Sequence, residues 1–259
     1  MNQTSLALFL AILIFSGCDK KETDDLTQQV TYEVNEDGDY PDFLTPHYYN
    51  INATDLRNDI NKLVHFARLN DYNHPFENEN DEIAAHSTKR EFGVGIGMSD
   101  TSQHHPAIDL HPTNPTNIVM YAAHNGLIKT YRDSPKYRHY LSLTSEIKDT
   151  DNNIIGKIVT IYAHIDLDLD NSESLQLDGQ YINKGEVISK NLYSGTMGGA
   201  HLHFETRIYR NSETGNEDFY YWQNSENHTT RSSGVWSYGY WTNDLGYGFM
   251  DPVNLGIGL

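Results

Sequence analysis

The sequence predicts a mainly β domain of antiparallel strands, led by one amphipathic helix. Three observations carry that reading. Short β-prone runs recur after residue 90: residues 117–122, 126–131, 155–163 and 201–209. Turn signals separate them, including Asn125-Gly126, Asp151-Asn152-Asn153, Asp178-Gly179 and Lys184-Gly185, as short antiparallel strands require. Helical spacing, by contrast, is convincing only over residues 52–69, where Leu56, Ile60, Leu63, Val64 and Ala67 fall on one face. Asn52 is placed to cap that helix and Asp55 sits in its first turn, where a negative charge is favoured.

Composition bounds the function. A chain of 259 residues has room for one substantial domain with extensions. Acidic residues outnumber basic ones 36 to 18, for a formal charge of −18, which argues against a partner that is itself a polyanion such as nucleic acid. The single cysteine excludes an intramolecular disulfide and a cysteine-based metal cluster. No glycine-rich phosphate loop and no Gly-x-Ser-x-Gly elbow is present.

The amino terminus reads as an address. Residues 6–15 form a ten-residue apolar run, too short for the ~20 residues that span a bilayer but of the length of a signal-peptide core. It leads through Ser16-Gly17 into Cys18 and resembles a bacterial lipoprotein signal, in which that cysteine carries lipid. It departs from the pattern in having no basic residue before the run and Phe15 where leucine is usual. The competing reading is a buried helix with an incidental thiol. On the lipoprotein reading residues 1–17 are removed, and the protein sits in the cell envelope on a membrane. Residues 18–45 are then a flexible acidic tether, too poor in apolar side chains to offset the entropy of ordering; a strand around Val30 to Val34 is the alternative. Residues 46–89 form a helical lead segment, and residues 90–259 the main domain.

Thirteen histidines are the chemical signal. They include His105-Pro106-Ala107-Ile108-Asp109, Tyr162-Ala163-His164 and His201-Leu202-His203-Phe204-Glu205. Chance alone yields about 0.65 His-x-His pairs at this histidine content, so that pair carries little by itself. On a strand, however, residues two apart share a face, so His201 and His203 project together while Leu202 and Phe204 enter a core. Two imidazoles and a carboxylate are a donor set suited to zinc, which takes three protein ligands and keeps a fourth position open where it is catalytic.

Taken in order, His-x-x-x-Asp, Tyr-x-His and His-x-His resemble the lysostaphin/LytM-type zinc metallopeptidases, which cut peptide bonds in bacterial peptidoglycan. Glu91-Phe92-Gly93, Asn125-Gly126, Lys184-Gly185-Glu186, Ser194-Gly195-Thr196, Gly198-Gly199-Ala200 and Asp251-Pro252 extend the resemblance over roughly residues 90–210 and a short carboxy-terminal piece. It implies an antiparallel β-sheet or sandwich with an N-terminal helix and loop insertions, and a Zn2+ ion held by His105, Asp109 and His203. It also implies His164 and His201 as an unligated catalytic pair, one to move the proton of the attacking water and one to donate to the developing oxyanion. The substrates implied are peptidoglycan stem or cross-link peptides. The alternative is a non-catalytic relative that binds cell wall or activates an amidase. His104 lacks an aspartate four residues on, and with His111 is expected beside the site or at the surface. The remaining histidines, and Glu205, are expected to have no catalytic part.

Departures from the family pattern are Ala107 in place of a common glycine, a longer acidic loop over residues 166–178, and an aromatic-rich insertion at about 210–249. That insertion carries Tyr220, Tyr221, Trp222, Trp236, Tyr238, Tyr240 and Trp241, which suit either a sugar or peptide groove or an extra hairpin. Asp166 to Asn171 and Asp149 to Asn152 invite a calcium reading, but both lack the downstream ligands of a calcium loop and are expected to be solvated turns.

Overall fold

A computed structural model of the chain describes residues 40–41, 43, 54–92, 105, 107–134, 137–196, 198–210 and 247–259. The lipoprotein signal, Cys18, nearly all of the acidic tether, His104 and the seven insertion aromatics lie outside these residues.

Helix α1 spans Thr54–Arg68 and buries Ile60, Leu63, Val64 and Ala67, the stripe anticipated from spacing. Arg68 falls in its last turn, where positive charge suits the helix dipole, while burial lowers the pKa of His65 in the same turn. Its polar face is used as well: Asn58 and Asn61 accept hydrogen bonds from the backbone N–H of Tyr40 and Phe43 at 3.3 and 3.1 Å. The end of the segment read as tether is therefore laid against α1.

The strands follow in order: β1 His86–Arg90, β2 Ile108–Pro112, β3 Met120–Tyr121, β4 Gly126–Ser134, β5 Arg138–Lys148 and β6 Ile154–Ile165. Helix α2, Leu167–Ser172, precedes β7 Tyr181–Ile182, β8 Val187–Ser189, β9 Leu202–Arg210 and β10 Tyr247–Met250. An eight-stranded antiparallel sheet runs β1-β2-β9-β6-β5-β4-β7, and β10 continues the edge of β9 beyond the end of β2. The mainly antiparallel β architecture is thus as anticipated. All of β1 but its last residue lies in residues 46–89, for which the sequence predicts a helical lead segment. The run at residues 117–122 contributes only the two residues of β3, which pair with β8 in a small separate sheet.

The main sheet has two chemically distinct faces. On one, Leu202, Phe204 and Ile208 of β9 lie opposite Leu110, Tyr162 and Ile158, all fully buried. The Tyr162 hydroxyl donates to the Tyr121 carbonyl and accepts from the Ala123 N–H, which pins β3 to this face. α1 packs on the same side, and there is no room for a side chain at Gly156, where a Cβ would enter the Tyr209 carbonyl and the Leu63 methyl. His124 is a satisfied core histidine here. One ring nitrogen meets the Asn125 carbonyl and the other the Thr160 hydroxyl, each at 2.8 Å, and burial lowers its pKa to about 4. The opposite face carries Asp109 and His111 of β2 and His203, Glu205 and Arg207 of β9.

One acidic stretch departs from expectation. Asp149 does form the anticipated exposed turn, accepting from the N–H groups of Asp151 and Asn153. Residues 166–171 do not: Asp166 caps α2 by accepting from the Asp168 and Leu169 N–H groups, and Asp170 is buried. The Asp170 carboxylate accepts from the Ser189 hydroxyl at 2.6 Å and from the Lys190 N–H and Asn191 amide at 2.9 Å each, clipping α2 to the end of β8. Burial raises its pKa, against the pull of these donors. Alternation of aspartate and leucine hid a short helix with one acid turned inward. Asp170→Ala strands three donors and should cost about 3 kcal/mol of stability, measured by urea unfolding.

Candidate metal centre

The site is laid out by strand register. Arg90 on β1 pairs with Asp109 on β2, Asp109 with His203 on β9, and His203 with Ala163 on β6. Directly paired residues in a sheet share a face and bring their side chains together. His105 precedes β2 and folds back to the same point.

Three donor atoms converge there. His105 Nε2 and His203 Nδ1 each lie 3.1 Å from Asp109 Oδ1, and 3.2 Å from one another. Donors held 2.0–2.1 Å from a tetrahedral zinc ion stand roughly 3.3–3.4 Å apart, so this near-equilateral triangle has the dimensions of one face of such a site. All three residues are buried. Electrostatics favour a cation at this point. Burial opposes charge on His203, yet hydrogen bonds to the Asp109 and Glu205 carboxylates outweigh it and raise its pKa to about 9. Burial likewise opposes charge on Asp109, but hydrogen bonds with His105 and His203 hold its carboxyl well below the usual range. A divalent ion answers the same demand for positive charge, and the residues fit zinc.

His164 and His201 stand beside the triangle. Their ring centroids are 4.8 Å apart, and that of His164 is 5.6 Å from that of His203. Both are anchored through Nδ1 to backbone carbonyls: His164 to Tyr137 at 3.2 Å and His201 to Gly199 at 2.8 Å. With Nδ1–H donating, each ring keeps its lone pair on Nε2, and His201 Nε2 lies 3.7 Å from Asp109 Oδ2. Burial and the neighbouring imidazoles lower the pKa of His164 to about 3; burial also lowers that of His201. A neutral ring held this way is a proton acceptor. Donation to an oxyanion from Nε2 requires the ring to be protonated first.

His164 reaches the site through a break in the sheet. Residues two apart on a strand share a face, so regular β6 would place His164 with Tyr162 in the core. Instead β6 is irregular opposite His139 and Tyr140, and His164 adopts φ 65°, turning its ring to the side of Ala163 and His203. The left-handed conformation of residue 164 belongs to this bulge, which re-aims the side chain across the sheet.

Further residues border the centre, of which the sequence reading anticipates neither Arg90 nor Tyr137. Arg90 reaches Asp109 Oδ2 at 3.3 Å and bears on the oxygen turned away from the triangle. His111, expected beside the site or at the surface, stacks on His201 at 4.8 Å with planes 13° apart. Glu205, expected to have no catalytic part, contacts His203 Nε2 at 3.3 Å, together with Tyr137 and Arg207. The available signal was alternation, which puts Glu205 and Arg207 on the His203 face; Arg90 and Tyr137 had none, because their approach depends on tertiary pairing. A second group, His139, Asp166 and Asp168, is partly to fully exposed, with Asp166 spent on capping α2 and Asp168 paired to Arg132.

Solved structures similar to this chain include a zinc-containing peptidase from Vibrio cholerae (22% identity, TM-score 0.37, 53% of this chain and 37% of that one). Lysostaphin is another (14%, TM-score 0.36, 56% and 49%), as is Csd3 of Helicobacter pylori (17%, TM-score 0.34, 57% and 34%). The chain thus matches only about a third to a half of the length of these proteins. No protein-family profile and no curated protein sequence matches it.

Left-handed backbone costs an L-residue other than glycine about 1–2 kcal/mol. Of two variants that both remove the imidazole, His164→Gly should therefore be more stable than His164→Ala by about 1 kcal/mol in thermal unfolding, the reverse of the order on a regular strand.

Proposed function

We propose that this protein is a zinc-dependent endopeptidase that hydrolyses the peptide cross-links of bacterial peptidoglycan. The observation that carries the reading is the triangle of His105 Nε2, Asp109 Oδ1 and His203 Nδ1, with two neutral imidazoles at its side. The ordered sequence motifs point to peptidoglycan peptides as substrate.

His105, Asp109 and His203 would hold the ion. Zinc, when bound, supplies Lewis acidity that activates water and polarises the scissile carbonyl. His164 and His201 manage the proton. Each enters neutral, with Nε2 free to accept, so one ring takes a proton from the attacking water and becomes an Nε2–H donor. As the C–N bond breaks, that proton passes to the departing amine nitrogen, which restores the neutral ring. Backbone carbonyls hold the Nδ1 protons throughout, so the exchange is confined to the Nε2 atoms. Gly198 and Gly199, both at positive φ, form the turn that presents the Gly199 carbonyl to His201.

Asp109→Ala should abolish both stoichiometric zinc and the release of peptide fragments from purified sacculi. His201→Ala should keep zinc and lose at least about 100-fold in turnover. Retention of full turnover by Asp109→Ala would refute the ligand assignment. A wild-type chain that binds zinc but releases no fragment by mass analysis, with or without chelator, would favour the non-catalytic, wall-binding reading.

The envelope location belongs to the same proposal, with the domain held at a membrane by lipid on Cys18. Among the described residues no helix is long and apolar enough to cross a bilayer. Cys18→Ala should move the protein from the detergent-extracted membrane fraction to the soluble fraction; retention in the membrane fraction would refute the anchor.

A further inference from the structure

Behind His203 lies a buried polar cluster that the proposed reaction does not itself use. Glu205 and Arg207 are fully buried and Tyr137 nearly so. One Glu205 oxygen is paired with the Arg207 guanidinium. The other accepts from the Tyr137 hydroxyl at 2.5 Å and faces His203 Nε2 at 3.3 Å. The Tyr137 ring packs against that of His203 with centroids 5.1 Å apart. Tyr137 also reaches the other side of the site: its carbonyl accepts from both the backbone N–H and the ring Nδ1 of His164, at 3.1 and 3.2 Å.

A buried ion pair is a poor choice for stability alone, since desolvating two charges consumes most of the attraction and well-packed apolar residues serve as well. Here the pair is aimed. In the neutral ring that binds a metal, a carboxylate accepting Nε2–H from His203 leaves the only lone pair on Nδ1, the atom that faces Asp109 and His105. A carbonyl accepting Nδ1–H from His164 leaves its lone pair on Nε2. The two histidines need opposite tautomers, and the contacts of Glu205 and Tyr137 supply both.

We propose that Glu205, held by Arg207 and Tyr137, is a positioning residue that sets His203 for metal binding, while the Tyr137 carbonyl sets His164 in the opposite tautomer. This rests on the metal-centre reading above. Tyr137 thereby couples the ion's ligand set to the proton-transfer machinery through one side chain and its own backbone.

The test compares two variants that both remove the buried ion pair and differ only in what faces His203: Glu205→Gln/Arg207→Met and Glu205→Ala/Arg207→Met. Thermal unfolding establishes that each is folded, and zinc affinity is read by competition with a chromophoric chelator. Loss of an oriented acceptor behind a metal-binding imidazole typically costs about 10–100-fold in affinity. The alanine variant should show that loss, and the glutamine variant, which keeps a carbonyl oxygen for Nε2–H, should stay near wild type. Equal affinities in the two folded variants would overturn the role of Glu205. A wild-type chain that binds no zinc would instead overturn the metal-centre reading on which it rests. For the second half, long-range 15N NMR of the zinc-loaded full chain should place the His164 proton on Nδ1; a proton on Nε2 would overturn the assignment to Tyr137.

Discussion

The pairing of β2 with β9 is the constraint on which the rest depends. Because Asp109 stands opposite His203, a carboxylate and an imidazole 94 residues apart in sequence are brought into contact by backbone hydrogen bonding. A slip of one residue would turn Asp109 toward Leu202 and Phe204 and bury a carboxylate among apolar side chains. The cost of that mistake specifies the register as firmly as any favourable contact. Ile108 and Leu110 make the same demand from the other face, where they are buried with Phe204 and Leu202.

Charge in the site is managed by enclosure. Asp109 receives His105, His203 and Arg90, so its two oxygens have different tasks: one toward the triangle, the other toward the guanidinium and His201. His105, His164 and His201 all have lowered pKa values, with burial the largest cause in each. The chain carries a formal charge of −18, but in its candidate centre burial keeps His105, His164 and His201 neutral, while the Asp109 and Glu205 carboxylates favour positive charge at His203.

Much of this was legible in the residues. Alternation along residues 201–205 correctly separated the polar face of β9 from its core face, and helical spacing located α1. The Asp149 turn was legible too, because its hydrogen bonds are local. What escaped was everything set by partners distant in sequence. β1 has an exposed middle and no apolar alternation, so its strand character comes from pairing with β2. Asp170 looked like one acid among several until Ser189, Lys190 and Asn191 closed on it. His164 broke the alternation rule, since a positive φ cannot be read from Ala163-His164-Ile165. Glu205 was visible on the His203 face, but its task depends on Tyr137, which lies 68 residues away.

The central position of β9 has a consequence for the order in which the molecule is made. It inserts between β2 and β6, strands that precede it in the chain by many residues. Until the ribosome has delivered residue 203, the third corner of the triangle does not exist, and the sheet has a gap with two raw edges. The triangle is consequently incomplete for most of the chain's synthesis, and the strand that completes it is the same one that pairs with both of those edges.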